Sequence, residues 1–279
     1  MDTSLRLPLE LIMIIVDLAV RDALPGHTSV LATLCLVCRA IRDIAEPVLY
    51  RVVILDEKTP TIDPTYTTFS ERTKALVVRD KLKLDWSHIF AFRNIDVLAC
   101  TFDHLEDIRY FSEGRVQFRP RTLVITRPIG YPADISDEIQ ETFDGSVTHL
   151  ALPFSIDGVQ PDCSALDLNE TITHVHLSLF PAPAGSVSQY DEHIRQVDSF
   201  LAIPTLRRLV CRMVNGAESD SSELRTGLVT CARTHRDLRL AYDGAYQWDG
   251  LPEDLFLQDV LDASDSLWES GVALYEKRN

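Results

Sequence analysis

The sequence predicts a mixed α/β chain: a three-helix module over residues 1–55, then an irregular strand–helix solenoid with a parallel sheet. Three observations point there. Short apolar runs recur from residue 75 to residue 242. Two of them are near-duplicates, Val147-Thr148-His149-Leu150-Ala151-Leu152 and Ile172-Thr173-His174-Val175-His176-Leu177. Ahead of them, residues 9–20 are apolar nearly all round a helix, interrupted by Glu10 and Asp17.

The N-terminal helix comes first in the chain. Pro8 suits a first helical turn, where its missing N–H costs nothing, and Glu10 favours the positive end of the helix dipole. Leu11, Ile15 and Leu18 form one stripe, and Ile12, Ile14 and Val16 fill other faces. A helix without a polar face must be covered on every side. A module of this size covers only part of it, so a following domain or a second protein must cover the remainder. Pro25-Gly26 then marks a loop. Residues 29–44 read as one further helix, with Leu31, Leu34, Val37, Cys38 and Ile41 on one side and Arg39, Arg42 and Asp43 on the other. Pro47 breaks that pattern, and the chain runs into an extended Val52-Val53-Ile54-Leu55.

Residues 56–72 lose apolar periodicity and read as a linker. Strands are then expected at 75–78, 97–100, 122–125, 148–152, 173–177, 207–211 and 238–242. With Leu76, Leu98, Leu123, Leu150, Val175, Leu209 and Leu240 as equivalent centres, the spacings are 22, 25, 27, 25, 34 and 31 residues. Repeats of this size indicate stacked units that bury apolar faces against one another. Connectors such as 135–143 and 190–201 are long enough for parallel crossovers. The repeat domain is placed at 73–250, and residues 251–279 are expected to form a capping helix. A plain α/β domain with a parallel sheet is the competing fold.

Composition narrows the function. Apolar residues make up 46% of the 279 and charged residues 25%, the usage of an ordinary globular chain. The net charge of −15 opposes binding to phosphate backbones, so nucleic acid is not an expected partner. The apolar N-terminal stretch is shorter than a bilayer span and lacks a signal-peptide cleavage pattern, so no membrane role is expected. Six cysteines lie mostly within apolar runs and read as reduced core residues of an intracellular protein, cytoplasmic or nuclear. Cys35 and Cys38 have half of a zinc-site spacing, but no second such pair exists. On one helix they would share a face turned into a core.

The N-terminal motifs occur in order: Leu7-Pro8-x-Glu10-Leu11, Ile15, Leu18, Leu34-x-x-Val37-Cys38-Arg39-x-Ile41-Arg42, and Pro47-x-Leu49-Tyr50-Arg51. Over about residues 5–52 this resembles an F-box of the fungal type. Ile41 stands where the family usually has an aromatic residue, and Tyr50 replaces its tryptophan. The remainder of the chain resembles a degenerate leucine-rich-repeat domain in which the repeat asparagine is mostly absent. The resemblance implies a substrate-receptor adaptor of a cullin-RING ubiquitin ligase, not an enzyme. It implies docking onto a Skp-type adaptor, and through it the cullin scaffold, by Leu7, Pro8, Leu11, Ile15, Leu34, Val37, Cys38, Ile41 and Leu49.

No Gly-x-Ser-x-Gly elbow, phosphate-cradling glycine loop or His-Glu-x-x-His occurs, and no cofactor is expected. Strand alternation sends Leu123/Ile125, Leu150/Leu152, Val175/Leu177 and Leu209/Cys211 into the core. His149, His174, His176 and Arg208 then face outward, and they are the expected contacts for a target protein. Exposed there, His174 and His176 would titrate near physiological pH. The other reading is an α/β enzyme or a small-molecule or metal binder using a cleft lined by these histidines.

Overall fold

Runs of branched aliphatic residues, such as Ala-Leu-Val-Val at 75–78, favour extended backbone because their side chains pack well on a pleated surface. The computed structural model describes residues 8–22, 28–56, 67–79, 86–112, 119–127, 135–154, 171–180, 189–216, 218–246 and 266–275. Within them every expected strand forms. They are β2 (Ala75–Val78), β3 (Val97–Cys100), β4 (Thr122–Ile125), β5 (His149–Phe154), β6 (His174–Leu179), β7 (Arg208–Val214) and β8 (Leu240–Tyr246). β1 (Val52–Leu55) precedes them and β9 (Val272–Ala273) follows. The described strands make one nine-stranded sheet whose spatial order is the chain order. β1 through β8 run parallel, and β9 returns antiparallel along β8.

The register matches the sequence repeat. Val53, Leu76, Leu98, Leu123, Leu150, Val175, Leu209 and Leu240 are paired one to the next across the sheet. All are buried in one core with their i+2 neighbours, including Val78, Ile125, Leu152, Leu177 and Cys211. Among the described residues, four α-helices cover this face, α5 (Phe102–Ser112), α6 (Ile135–Phe143), α7 (Gln189–Leu201) and α8 (Glu218–His235), beside a 3-10 turn at Trp86–Ala91. They contribute Leu105 and Ile108, Ile139 and Phe143, Val197 and Phe200, and Leu224 and Leu228 to the same core. Each fully buried aliphatic or aromatic side chain contributes about 1.5–3 kcal/mol, so this in-register ladder is the main source of cohesion.

The N-terminal module has its own small core of Val16, Leu31 and Ala45, with Ile12, Leu34, Cys35, Ile41, Ile44, Val48 and Leu49 packed around it. It consists of α1 (Leu9–Asp22), α2 (Thr28–Leu34) and α3 (Arg39–Leu49). The single helix expected at 29–44 is therefore two. Leu36 and Val37 donate to Thr33 and Leu34 in a tight turn, and Cys38 is extended (φ −162°, ψ 167°) as the residue that starts α3. Arg42 Nε donates to the Cys35 carbonyl at 2.9 Å and satisfies one acceptor that the interruption frees. Pro47 does not break α3 but sits in its last turns, and the Tyr50 N–H still reaches the Glu46 carbonyl.

Two boundaries move. Residues 52–55 pair with 75–78, so the strand placed at the end of the helical module is the first strand of the sheet. The expected linker contains α4 (Thr67–Arg72), whose Arg72 pairs with Glu46 of α3 at 2.9 Å. At the C-terminus the expected capping helix is, among the described residues, only the short α9 (Ser266–Glu269) followed by β9. Gly271 ends that helix with φ +81°, and a Cβ there would lie 2.9 Å from the Tyr242 backbone. Val272 and Ala273 then pair with Tyr242 and Ala241, a very short strand that closes the edge of β8. No helix among the described residues is long and apolar enough to cross a membrane.

Candidate functional site

Two surfaces correspond to the expected sites. The first is on the N-terminal module. Val16 faces inward from α1, which turns Leu11, Ile14, Ile15 and Leu18 outward at the spacing i, i+3, i+4, i+7. These four side chains are between 46% and 59% exposed. The turn after α2 adds Leu36 at 78% and Val37 at 61%, and Val30 is also exposed. Scattered exposed leucines are ordinary, but a helical stripe of large aliphatics is not.

The expected docking residues divide accordingly. Leu11, Ile15, Val37 and Cys38 are exposed, as is Pro8. Leu34, Ile41 and Leu49 are half-buried and hold the module together from inside. Leu7 lies outside the described residues. Ile14, Leu18, Val30 and Leu36 complete the exposed set; of these, Leu18 was legible as part of the Leu11/Ile15 stripe, whereas Ile14 reads onto another face. Cys35 and Cys38 do not share a helical face, because Cys38 stands in the extended break before α3. Cys35 packs on the module core while Cys38 is open to solvent.

The second surface is the sheet face opposite the helices. The histidine-bearing strands are adjacent, with His149 opposite His174 and Ala151 opposite His176. The His149 and His174 rings stack with centroids 4.3 Å apart and planes within 1° of parallel. Thr148 Oγ1 holds His149 Nδ1 at 2.7 Å, and Thr173 Oγ1 holds His174 Nδ1 at 2.8 Å. The near-duplicate Thr-His pairs thus make two identical local bonds that orient both rings.

That row does not face solvent. Trp268 of α9 meets the His149 ring edge-on at 4.8 Å and the His174 ring at 6.5 Å. Leu267 and Trp268 are buried against Ala75, Val77, Ala99, Val124 and Ala151. Arg208 donates to the carbonyls of Glu269 at 3.1 Å and Ser270 at 2.8 Å, so it anchors the chain's own C-terminal turn. His149 is buried and His176 fully so, while His174 is half-buried. The expected outward-facing target row is therefore covered in part: His149 and His176 are buried, His174 and Arg208 half-buried. Alternation predicts its side of the sheet correctly, but cannot reveal that the distant C-terminal turn around Trp268 lies upon it.

The histidine electrostatics follow from that cover. Burial, the neighbouring His174 and Arg121 push His149 down to about 4 from its ordinary 6.5. Burial and then Arg121, Arg207 and Arg208 lower His174, and burial with Arg212 holds His176 well below its ordinary value. Each shift favours the neutral ring, contrary to the expectation for exposed rings. Arg212 is buried on the same face, where its Nε donates to Ser178 Oγ at 2.8 Å and its guanidinium lies 5.5 Å from the Tyr246 ring centre.

Among the described residues, the group of potential metal ligands that converges is elsewhere. Asp198 of α7 and Cys231 and His235 of α8 bring their ligand atoms within 4.8 Å of one another. Burial, the Asp198 hydrogen bond and the carboxylates of Asp198 and Asp237 raise the Cys231 thiol to about 12, so it is not an activated nucleophile. Cys231-x-x-x-His235 is visible in the sequence as a one-turn helical pair; its meeting with Asp198 depends on the packing of α7 on α8. Comparison with protein-family models, curated proteins and solved structures finds no match.

Proposed function

We propose that this chain is a substrate-receptor adaptor of the F-box kind, in which residues 5–52 dock onto a Skp-type adaptor of a cullin-RING ubiquitin ligase. The supporting observation is the uncovered apolar stripe Leu11/Ile14/Ile15/Leu18 beside Leu36 and Val37, in the segment that holds the F-box-like motifs. A face of that kind is suited to a partner's apolar groove. In this reading the sheet domain is an irregular leucine-rich-repeat-like solenoid, supported by chain-ordered parallel strands and one in-register ladder. It receives the target protein, and ligation is accelerated by proximity rather than by chemistry on this chain. His149, His174 and Arg208 contact the C-terminal turn and His176 is fully buried, so in this reading the target meets other residues of the domain. A histidine-lined catalytic cleft finds less support, because Trp268 covers the stacked rings and His176 is fully buried.

Co-expression with a Skp-type adaptor tests the proposal. The full chain should co-purify as a stable complex, and a chain lacking residues 1–50, which keeps β1, should not. Failure of the full chain to bind any such adaptor, or equal binding by the truncated chain, would overturn the reading.

A further inference from the structure

The ends of α7 and α8 bring three different ligand types together outside both surfaces described above. Cys231 and His235 lie one turn apart on the last turns of α8 and point the same way. Asp198 approaches from the neighbouring α7. Its Oδ1 accepts from Cys231 Sγ at 2.9 Å and lies 3.3 Å from His235 Nε2. We propose that Asp198, Cys231 and His235 bind one zinc-class divalent cation that ties α7 to α8.

The dimensions support this assignment. Zinc binds thiolate at about 2.3 Å and imidazole or carboxylate at about 2.0–2.2 Å in a tetrahedron. Those bond lengths separate neighbouring ligand atoms by roughly 3.3–3.6 Å; the 3.3 Å between Asp198 and His235 already fits, the 2.9 Å between Asp198 and Cys231 must open, and the remaining pair lies within 4.8 Å. One sulfur, one nitrogen and one oxygen donor suit a borderline cation such as zinc or cobalt, whereas calcium and magnesium require oxygen shells. Cys231 is buried, while the Asp198 and His235 side chains are 42% and 48% exposed, so the ion has an entry path. The fourth position faces that path and takes water. On binding, the Cys231 thiol proton leaves to solvent, the sulfur–metal bond replaces the S–H···O hydrogen bond, and no redox change occurs. Because the ligands come from two helices, binding to the folded state alone raises stability. The proposal is independent of adaptor docking.

Full-length protein is treated with a chelator, dialysed and titrated with zinc chloride, with bound metal measured by mass spectrometry and unfolding followed by heating. One equivalent should bind and raise the melting temperature. Cobalt(II) in its place should give a thiolate-to-metal charge-transfer band. His235→Ala, a change at a half-exposed side chain, should weaken binding by at least the roughly 10–100-fold that even outer-shell changes cost. Cys231→Ser should remove the cobalt band. Absence of zinc binding by the wild-type chain, zinc binding without a thiolate band, or unchanged affinity in both variants would each overturn the proposal.

Discussion

His149 shows how burial changes what a residue does. Its ring is held by Thr148, stacked on His174 and closed over by Trp268, so the folded chain resists a proton that the unfolded chain accepts. Below the ordinary value of 6.5 the unfolded state takes up more protons, and stability falls until the folded value near 4 is passed. Above 6.5 both states are neutral and the effect vanishes. Thermal unfolding from neutral pH down to about 4 should show this decline, and His149→Gln should make it shallower while His174 and His176 retain the rest. An unchanged slope in the variant would show that the ring is not the titrating group. Trp268→Ala should destabilise by roughly 3 kcal/mol or more, as expected for truncating a buried large aromatic, read from the denaturant midpoint. Gly271→Ala places a Cβ against the Tyr242 backbone at a left-handed φ, and should cost on the order of 1–2 kcal/mol. A neutral result in the same denaturant measurement would mean that β9 contributes little to the fold.

At the scale of elements, α1 divides its side chains between the module core and solvent. Val16 belongs to the module core, whereas Ile15 and Leu18 face water. Leu31→Ala should therefore lower module stability by about 2–5 kcal/mol, the cost of a fully buried leucine. Ile15→Asp with Leu18→Asp should change monomer stability by only about 0.5 kcal/mol per site, measured by denaturant unfolding. A loss of several kcal/mol in that pair would place the stripe inside the fold. The strands were the most legible elements, because each repeats an aliphatic centre with alternating apolar neighbours, and those centres pair in register. Val52–Leu55 was legible as extended but not as part of the sheet, since its partner lies beyond a segment without periodicity. The division between α2 and α3 was hidden because the apolar spacing continues through Leu34, Val37, Cys38 and Ile41 while the backbone does not. Pro47 misled in the opposite direction, since one lost N–H near a helix end is tolerated.

Across the whole molecule, a helical module with an uncovered apolar face leads directly into a sheet whose second face is closed in part by the C-terminal turn. The exposed stripe was legible in Leu11, Ile15 and Leu18, which are local to α1, while Ile14 reads onto another face. The cover over His149 and His174 was not, because it joins residues 149 and 174 to residue 268, and pattern alone does not report so distant a contact. The Asp198/Cys231/His235 group was hidden for the same reason. Adaptor docking through the N-terminal stripe is tested most directly by calorimetric titration of the purified chain with a purified Skp-type adaptor, alongside the Ile15→Asp/Leu18→Asp variant. The wild-type chain should form a stoichiometric complex, and the variant should lose it while keeping the wild-type melting temperature. Absence of binding by the wild-type chain, or binding by the variant as tight as wild type, would contradict the docking role of residues 5–52.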